Sequence, residues 1–212
     1  MSPFQMQAVE REASQLVRQF HATPPRQQAH LVTTLVELCS RQPVHTLNHG
    51  REWQDAGGRA GVVAALAQAA KSSDAAIQHP AVIALGRLVA DHHGNQSTAT
   101  AAGALPHLMQ LTKSRDATLQ QQAVTALGFL VCNHHDNQSA AAAAGAIPHL
   151  MQLVKSSNAT LQQQAVGALS FLVSKHHDNQ SAAAAAGAVP HLMQLTKSSD
   201  AALQHPAFCW RA

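Results

Sequence analysis

The residues best suited to chemistry in this chain are its 15 histidines. Six of them stand as adjacent pairs, His92-His93, His134-His135 and His176-His177, with 42 residues from one pair to the next. Imidazole binds metals and titrates near neutrality, so a recurring pair raises two chemistries, a metal ladder and a pH-responsive edge. Neighbours on a helix diverge by about 100°, and packed helices lie about 10 Å apart. That geometry argues against one ion bridging the pairs of adjacent copies. No HExxH segment or Cys/His constellation accompanies them, so no metal is expected and the pairs read as polar residues copied with the repeat. His107, His149 and His191 follow recurring prolines and read the same way.

Other chemistries find less support. The 11 carboxylates are scattered, with no paired acid/base spacing, phosphate loop or nucleophile motif, so no catalytic residues, no cofactor and no enzymatic activity are expected. The 14 Lys and Arg residues are too sparse for a nucleic-acid footprint. Cys39, Cys132 and Cys209 are far apart and odd in number, which argues against a disulfide framework and for a reducing compartment. Residues 1–15 lack the form of a secretory signal, and no apolar run reaches the ~20 residues of a membrane helix. The expected location is the cytoplasm, the nucleus or both. Without a secretion signal, the sequons at Asn95, Asn137, Asn158 and Asn179 read as helix caps. Lys71, Lys113, Lys155 and Lys197 recur in one phase and read as cations complementing the end of their own helix.

All these recurrences share one period. Gly103-Ala-Leu-Pro-His-Leu108 returns as Gly145-Ala-Ile-Pro-His-Leu150 and Gly187-Ala-Val-Pro-His-Leu192, 42 residues apart, and Gly61-Val-Val-Ala-Ala-Leu66 is a degenerate copy. The copies beginning at Gly103 and Gly145 differ at 8 of 42 positions. Within the copy from Gly145, Pro148 suits a first helical turn, and that helix runs through Leu150, Met151 and Leu153 towards Lys155. Ser156-Ser157 breaks it, and Asn158 caps a longer helix with Leu161, Ala165, Ala168, Leu169 and Leu172 on one stripe. His176-His177-Asp178 closes that helix. Asn179 or Ser181 then caps a short Ala182–Ala186 helix, which Gly187 ends. Such a unit cannot bury its stripe alone, and stacked copies bury a continuous Ala-, Leu- and Val-rich core.

The order Gly-Ala-Ile-Pro-x-Leu, Leu-Gln-x-x-Ala-x-x-Ala-Leu-x-x-Leu, then Asn and an Ala-rich helix ending in Gly resembles the armadillo repeat. Those segments are Gly145–Leu150, Leu161–Leu172 and Asn179–Gly187. HEAT repeats are the near alternative, but they have two helices and lack the Gly-x-x-Pro phase. The resemblance implies an all-α fold, an alpha-alpha superhelix of armadillo type, that is, a right-handed solenoid. Repeats are expected at residues 61–102, 103–144 and 145–186, with a truncated one at 187–212. Residues 1–60 are expected to form N-terminal helices, a cap and a diverged repeat. Within them, Gln5–Phe20 and Gln27–Cys39 read as helices and Arg41–Gly58 as a loop-like stretch. The chain ends where a long helix is half built. Either it is a fragment of a longer array, or Phe208 and Trp210 improvise a cap; an uncapped end would favour self-association.

The style is closest to the vacuolar-protein-8-like and importin-alpha-like armadillo proteins. In those relatives the long third helices line a concave groove, where a Trp and, four residues later, an Asn clamp extended peptides. The Trp positions here are Ile83, Thr125 and Gly167, and the Asn positions are Arg87, Phe129 and Phe171, so the ladder is absent. The same face is still marked. Gln121, Thr125 and Phe129 lie at i, i+4 and i+8, and Phe129 stands about 200° from core-type Leu127. Gln163, Gly167 and Phe171 repeat the placement. The two Phe read either as aromatic anchors in a Gln-lined groove or as packing between neighbouring repeats. The implied function is a non-catalytic scaffold or adaptor for other proteins or peptides. An importin-alpha-like transport adaptor and the substrate-binding fragment of a ubiquitin-ligase-type protein are the alternatives.

Overall fold

The structure is a computed structural model and describes residues 3–24, 27–40 and 49–188. The expected repeat at 187–212, with Lys197, Phe208 and Trp210 and the self-association assigned to its open end, lies outside the described residues beyond position 188. The described residues are all-α, with twelve helices. They fall into two compact units that divide between Ala104 and Leu105.

The first unit holds α1 (Pro3–Ala22), α2 (Ala29–Ser40), α3 (His49–Arg59), α4 (Val62–Ala69), α5 (Ala75–Val89) and α6 (His93–Ala101). The second holds α7 (Ala104–Leu111, straddling the boundary), α8 (Ala117–Val131), α9 (His135–Ala143), α10 (Ala146–Leu153), α11 (Ala159–Val173) and α12 (His177–Ala185). From α4 onward the lengths cycle as 8, 15 and 9 residues, the three-helix period expected from the sequence. Repeats stack within each unit in the manner of an α-solenoid. In the first unit α2 and α4 pack on α5; in the second α8 packs along α11.

Local chemistry sets the boundaries. Gly61, Gly103, Gly145 and Gly187 have φ of +78° to +82°, so each ends one helix in the left-handed region and turns the chain into the next. Each 15-residue helix is capped from the preceding residue. Asp74 Oδ1 accepts from the Ala76 N–H, Asp116 Oδ1 from Leu119, and Asn158 Oδ1 from Leu161, at 2.9, 3.0 and 3.1 Å. The stripe Leu161, Ala165, Ala168, Leu169 and Leu172 is buried as expected. Gly128 marks a close helix crossing. A Cβ there would lie 3.2 Å from Ala168 Cα, so only the bare backbone admits α11.

Several expectations are corrected. Residues 49–58 are helical in α3, not loop-like. Gln54 shows why, because its amide reaches the carbonyls of Arg87 and Ala90 at the end of α5 (3.1 and 2.8 Å) and holds α3 as Gln138 holds the short helix α9 in a later repeat. The short Ala-rich helices begin earlier than expected. α12 starts at His177, and its cap is His176, whose Nδ1 accepts the Asn179 N–H at 3.4 Å; neither Asn179 nor Ser181 caps it. His92 and His134 cap α6 and α9 in the same way. The sequon asparagines Asn95, Asn137 and Asn179 are 2–3% exposed and are not caps. Asn179 Nδ2 donates to Leu172 O within its repeat (2.8 Å) and to Gln138 O of the repeat before it (3.2 Å), and Asn95 does the same with Leu88 and Gln54. Lys71 reaches beyond its own helix, with Nζ donating to Ala102 O at the end of α6 at 2.9 Å.

Candidate functional site

The glutamines divide by role. Gln78, Gln120 and Gln162 each donate to the last carbonyl region of the preceding short helix, at Ala70, Thr112 and Val154 (3.1, 2.9 and 2.8 Å). Gln138 Nε2 spans to the next repeat and donates to Phe171 O (2.7 Å) and Ser174 O (3.0 Å). These bonds satisfy carbonyls that a helix end leaves open, and they hold α11 against α9. The side chains of Gln121 and Gln163 take no part in this bonding: Gln121 is half-buried and Gln163 exposed.

On α8 the buried residues are Leu119, Ala123, Val124, Ala126, Leu127, Gly128, Leu130 and Val131. Gln121, Thr125 and Phe129 occupy the less buried side, each half-exposed. On α11, Gln163, Gly167 and Phe171 hold the same positions. Phe129 and Phe171 meet, with ring centroids 6.5 Å apart and planes inclined by 37°. The tilted pair is within the range of aromatic attraction, and both rings keep part of their area open. The packing reading is therefore met in part: each ring touches its counterpart, and neither is fully buried.

The rest of the face is quiet. Thr125 Oγ1 donates to Gln121 O (3.1 Å) and Ser170 Oγ to Val166 O (2.9 Å), so both hydroxyls are turned into their own helices. Above Gly167 a Cβ would meet nothing within 4 Å, which leaves a notch between Gln163 and Phe171. Gln122 and Gln164 also border this side, half-buried, each with an Oε1 that finds no donor. Sequence reasoning missed them, although the triple-Gln runs at 120–122 and 162–164 were the available signal. Ile83, half-buried, and Arg87, exposed, hold the equivalent positions on α5 in the other unit.

The histidine edge is closer-knit than the spacing argument allowed. The rings of His135 and His176 lie 5.7 Å apart, well inside the expected inter-repeat distance, because the second His of one pair faces the first of the next. His176 is nonetheless occupied. Its Nδ1 takes a backbone N–H, and its Nε2 lies 2.8 Å from Ser139 Oγ. His92 is held the same way, with Nε2 at 2.7 Å from Asp55 Oδ1. Among the described residues no group of three or more His, Cys, Asp or Glu is placed to hold a metal ion. His149 is half-buried against Thr112 O (3.3 Å), and burial pushes its imidazole below the ordinary range. Among the described residues no helix is long and apolar enough to cross a membrane.

These features define an armadillo-like repeat fold. Residues 134–174 match the model of the armadillo/beta-catenin-like repeat, and residues 75–130 match that of a HEAT-like repeat. A search of curated protein sequences finds no match. Among solved structures, an engineered protein is similar with a TM-score of 0.76 and 26% identity, over 93% of this chain and 77% of its own. A designed armadillo repeat protein in complex with the peptide (KR)4 is similar with a TM-score of 0.64 and 20% identity, over 98% and 93%. The armadillo-repeats-only protein ARO of Plasmodium falciparum is similar with a TM-score of 0.68 and 19% identity, over 85% and 77%.

Proposed function

We propose that this chain is a non-catalytic scaffold that binds a protein or peptide segment along the less buried side of its long helices. The observation that carries this reading is the Phe129–Phe171 pair. Two aromatics with open area stand side by side on adjacent helices, flanked by the half-buried Gln121 and the exposed Gln163. Half-exposed aromatics at the centre of a polar-rimmed surface are the usual anchors of an interface. The similar designed protein is in complex with the peptide (KR)4, which supports a peptide-carrying role for this fold. The absence of Trp and Asn at the ladder positions weighs against an importin-alpha-like transport role.

Selection from a phage-displayed random peptide library tests the proposal. Enriched peptides should bind the wild type and lose binding to the Phe129→Ser/Phe171→Ser variant. Because those rings also pack on each other, Gln121→Lys/Gln163→Lys provides a second variant that leaves the core untouched. A library that yields no binder, or binders indifferent to both variants, refutes the proposal.

A further inference from the structure

Resting on that reading, we infer that the segment carried by α8 and α11 is an extended, uncharged peptide with apolar side chains at alternate positions. Across Ala117–Val131 and Ala159–Val173 there is no Asp, Glu, Lys, Arg or His. Within two residues of the helix ends stand only Arg115 and Asp116 before α8 and Lys175 after α11, two cations and one anion outside the helices themselves. A face without ionised groups gives no return for stripping water from a charged ligand, so charged side chains are disfavoured there. The hydroxyls of Thr125 and Ser170 are spent within their helices. What remains to recognise a ligand is apolar ring area and the amides of Gln121 and Gln163, which both donate and accept. That combination suits a peptide backbone with uncharged side chains.

Spacing supplies the second half. The Phe129 and Phe171 centroids are 6.5 Å apart. An extended strand rises about 3.3 Å per residue, so side chains on one of its faces recur every ~6.6 Å. Two alternate side chains of one strand can therefore address the two rings in register, while the intervening ones face away. The notch above Gly167, open for at least 4 Å beyond a Cβ, receives the side chain beside Phe171. Thr125 fills the equivalent place on α8, so the notch gives the face a direction.

The test uses three fluorescein-labelled octapeptides on the full chain, read by fluorescence anisotropy: alternating Ser-Leu, alternating Lys-Arg and alternating Ser-Glu. Ser-Leu should bind, with affinity changing less than ~2-fold between low and high salt. Gly167→Leu fills the notch and should weaken binding ~30-fold, the scale of a blocked hot spot. Leu is also the better helix former, so that variant should melt no lower than wild type, which separates a blocked site from a lost fold. Salt-sensitive binding of Lys-Arg or Ser-Glu in preference to Ser-Leu overturns this inference and leaves the scaffold function standing. Ser-Leu binding indifferent to Gly167→Leu overturns the notch and with it the assigned register. Failure of all three peptides overturns this inference, and the library selection then decides whether the scaffold reading falls too.

Discussion

Replacing Gln138 with Glu probes the contact that fastens one repeat to the next. The wild-type amide donates two hydrogens, to Phe171 O at 2.7 Å and Ser174 O at 3.0 Å, at the end of α11. Glu has nearly the same shape but, when ionised, only accepts. Both carbonyls then lose their donor at ~1–3 kcal/mol each, and a buried carboxylate faces two carbonyl oxygens. The two lost donors alone sum to about 2–6 kcal/mol for Gln138→Glu at neutral pH, and the buried carboxylate adds to that. Gln138→Met loses the same bonds but adds no charge. It also removes Oε1, which is buried without a donor in the wild type, so its cost should be nearer ~1–3 kcal/mol. Urea denaturation at matched pH gives both values, and amide exchange in the last turn of α11 reports the local opening. The environment favours the protonated acid, which raises the pKa of the introduced carboxyl above its unfolded value of about 4.3. The extra deficit of Gln138→Glu over Gln138→Met is therefore smallest below that value and grows as pH rises. A Gln138→Glu protein within about 1 kcal/mol of wild type, or a gap between the variants that does not change with pH, would refute the inter-repeat clamp.

Three further outcomes follow from the same geometry. Gly128→Val should cost about 2 kcal/mol or more by thermal melting, because the new side chain meets Ala168 Cα and Cβ at 3.2 and 3.3 Å and the backbone cannot yield; an unchanged melt would mean the helices slide apart freely. Lys175→Gly should stabilise by up to ~1 kcal/mol, since Lys175 holds φ of +56° and a non-glycine residue is strained there; a loss of stability would show that the Lys side chain makes a contact worth more than the strain. His149 is pushed below the ordinary imidazole value of 6.5 by burial, so the unfolded chain takes up its proton more readily than the folded one. Stability should therefore fall as pH drops from about 6.5 through the depressed value. His149→Gln should flatten that part of the profile, and an unaltered slope would assign the acid sensitivity elsewhere.

The 42-residue period, the glycine turns, the capping residues of the long helices and the buried Leu/Ala stripe were all legible in the sequence. Each depends on local chemistry: positive φ favours Gly, an orphan N–H takes the nearest carboxylate or amide, and burial follows a helical period. The open side of α8 and α11 was legible for the same reason, since residues opposite the stripe cannot join it. What packing alone decided is which polar side chain serves which repeat. Asn179 and His176 both sit at a helix start, and local rules favour Asn as the cap. Stacking instead sends Asn179 inward to Leu172 and Gln138, and leaves the cap to His176, which Ser139 of the preceding repeat holds in place. Gln54 turned an apparent loop into a helix in the same way, through carbonyls more than thirty residues away in sequence. Local propensity chooses the helices; the partners of their side chains are set by whatever the neighbouring repeat presents, and that is a tertiary fact.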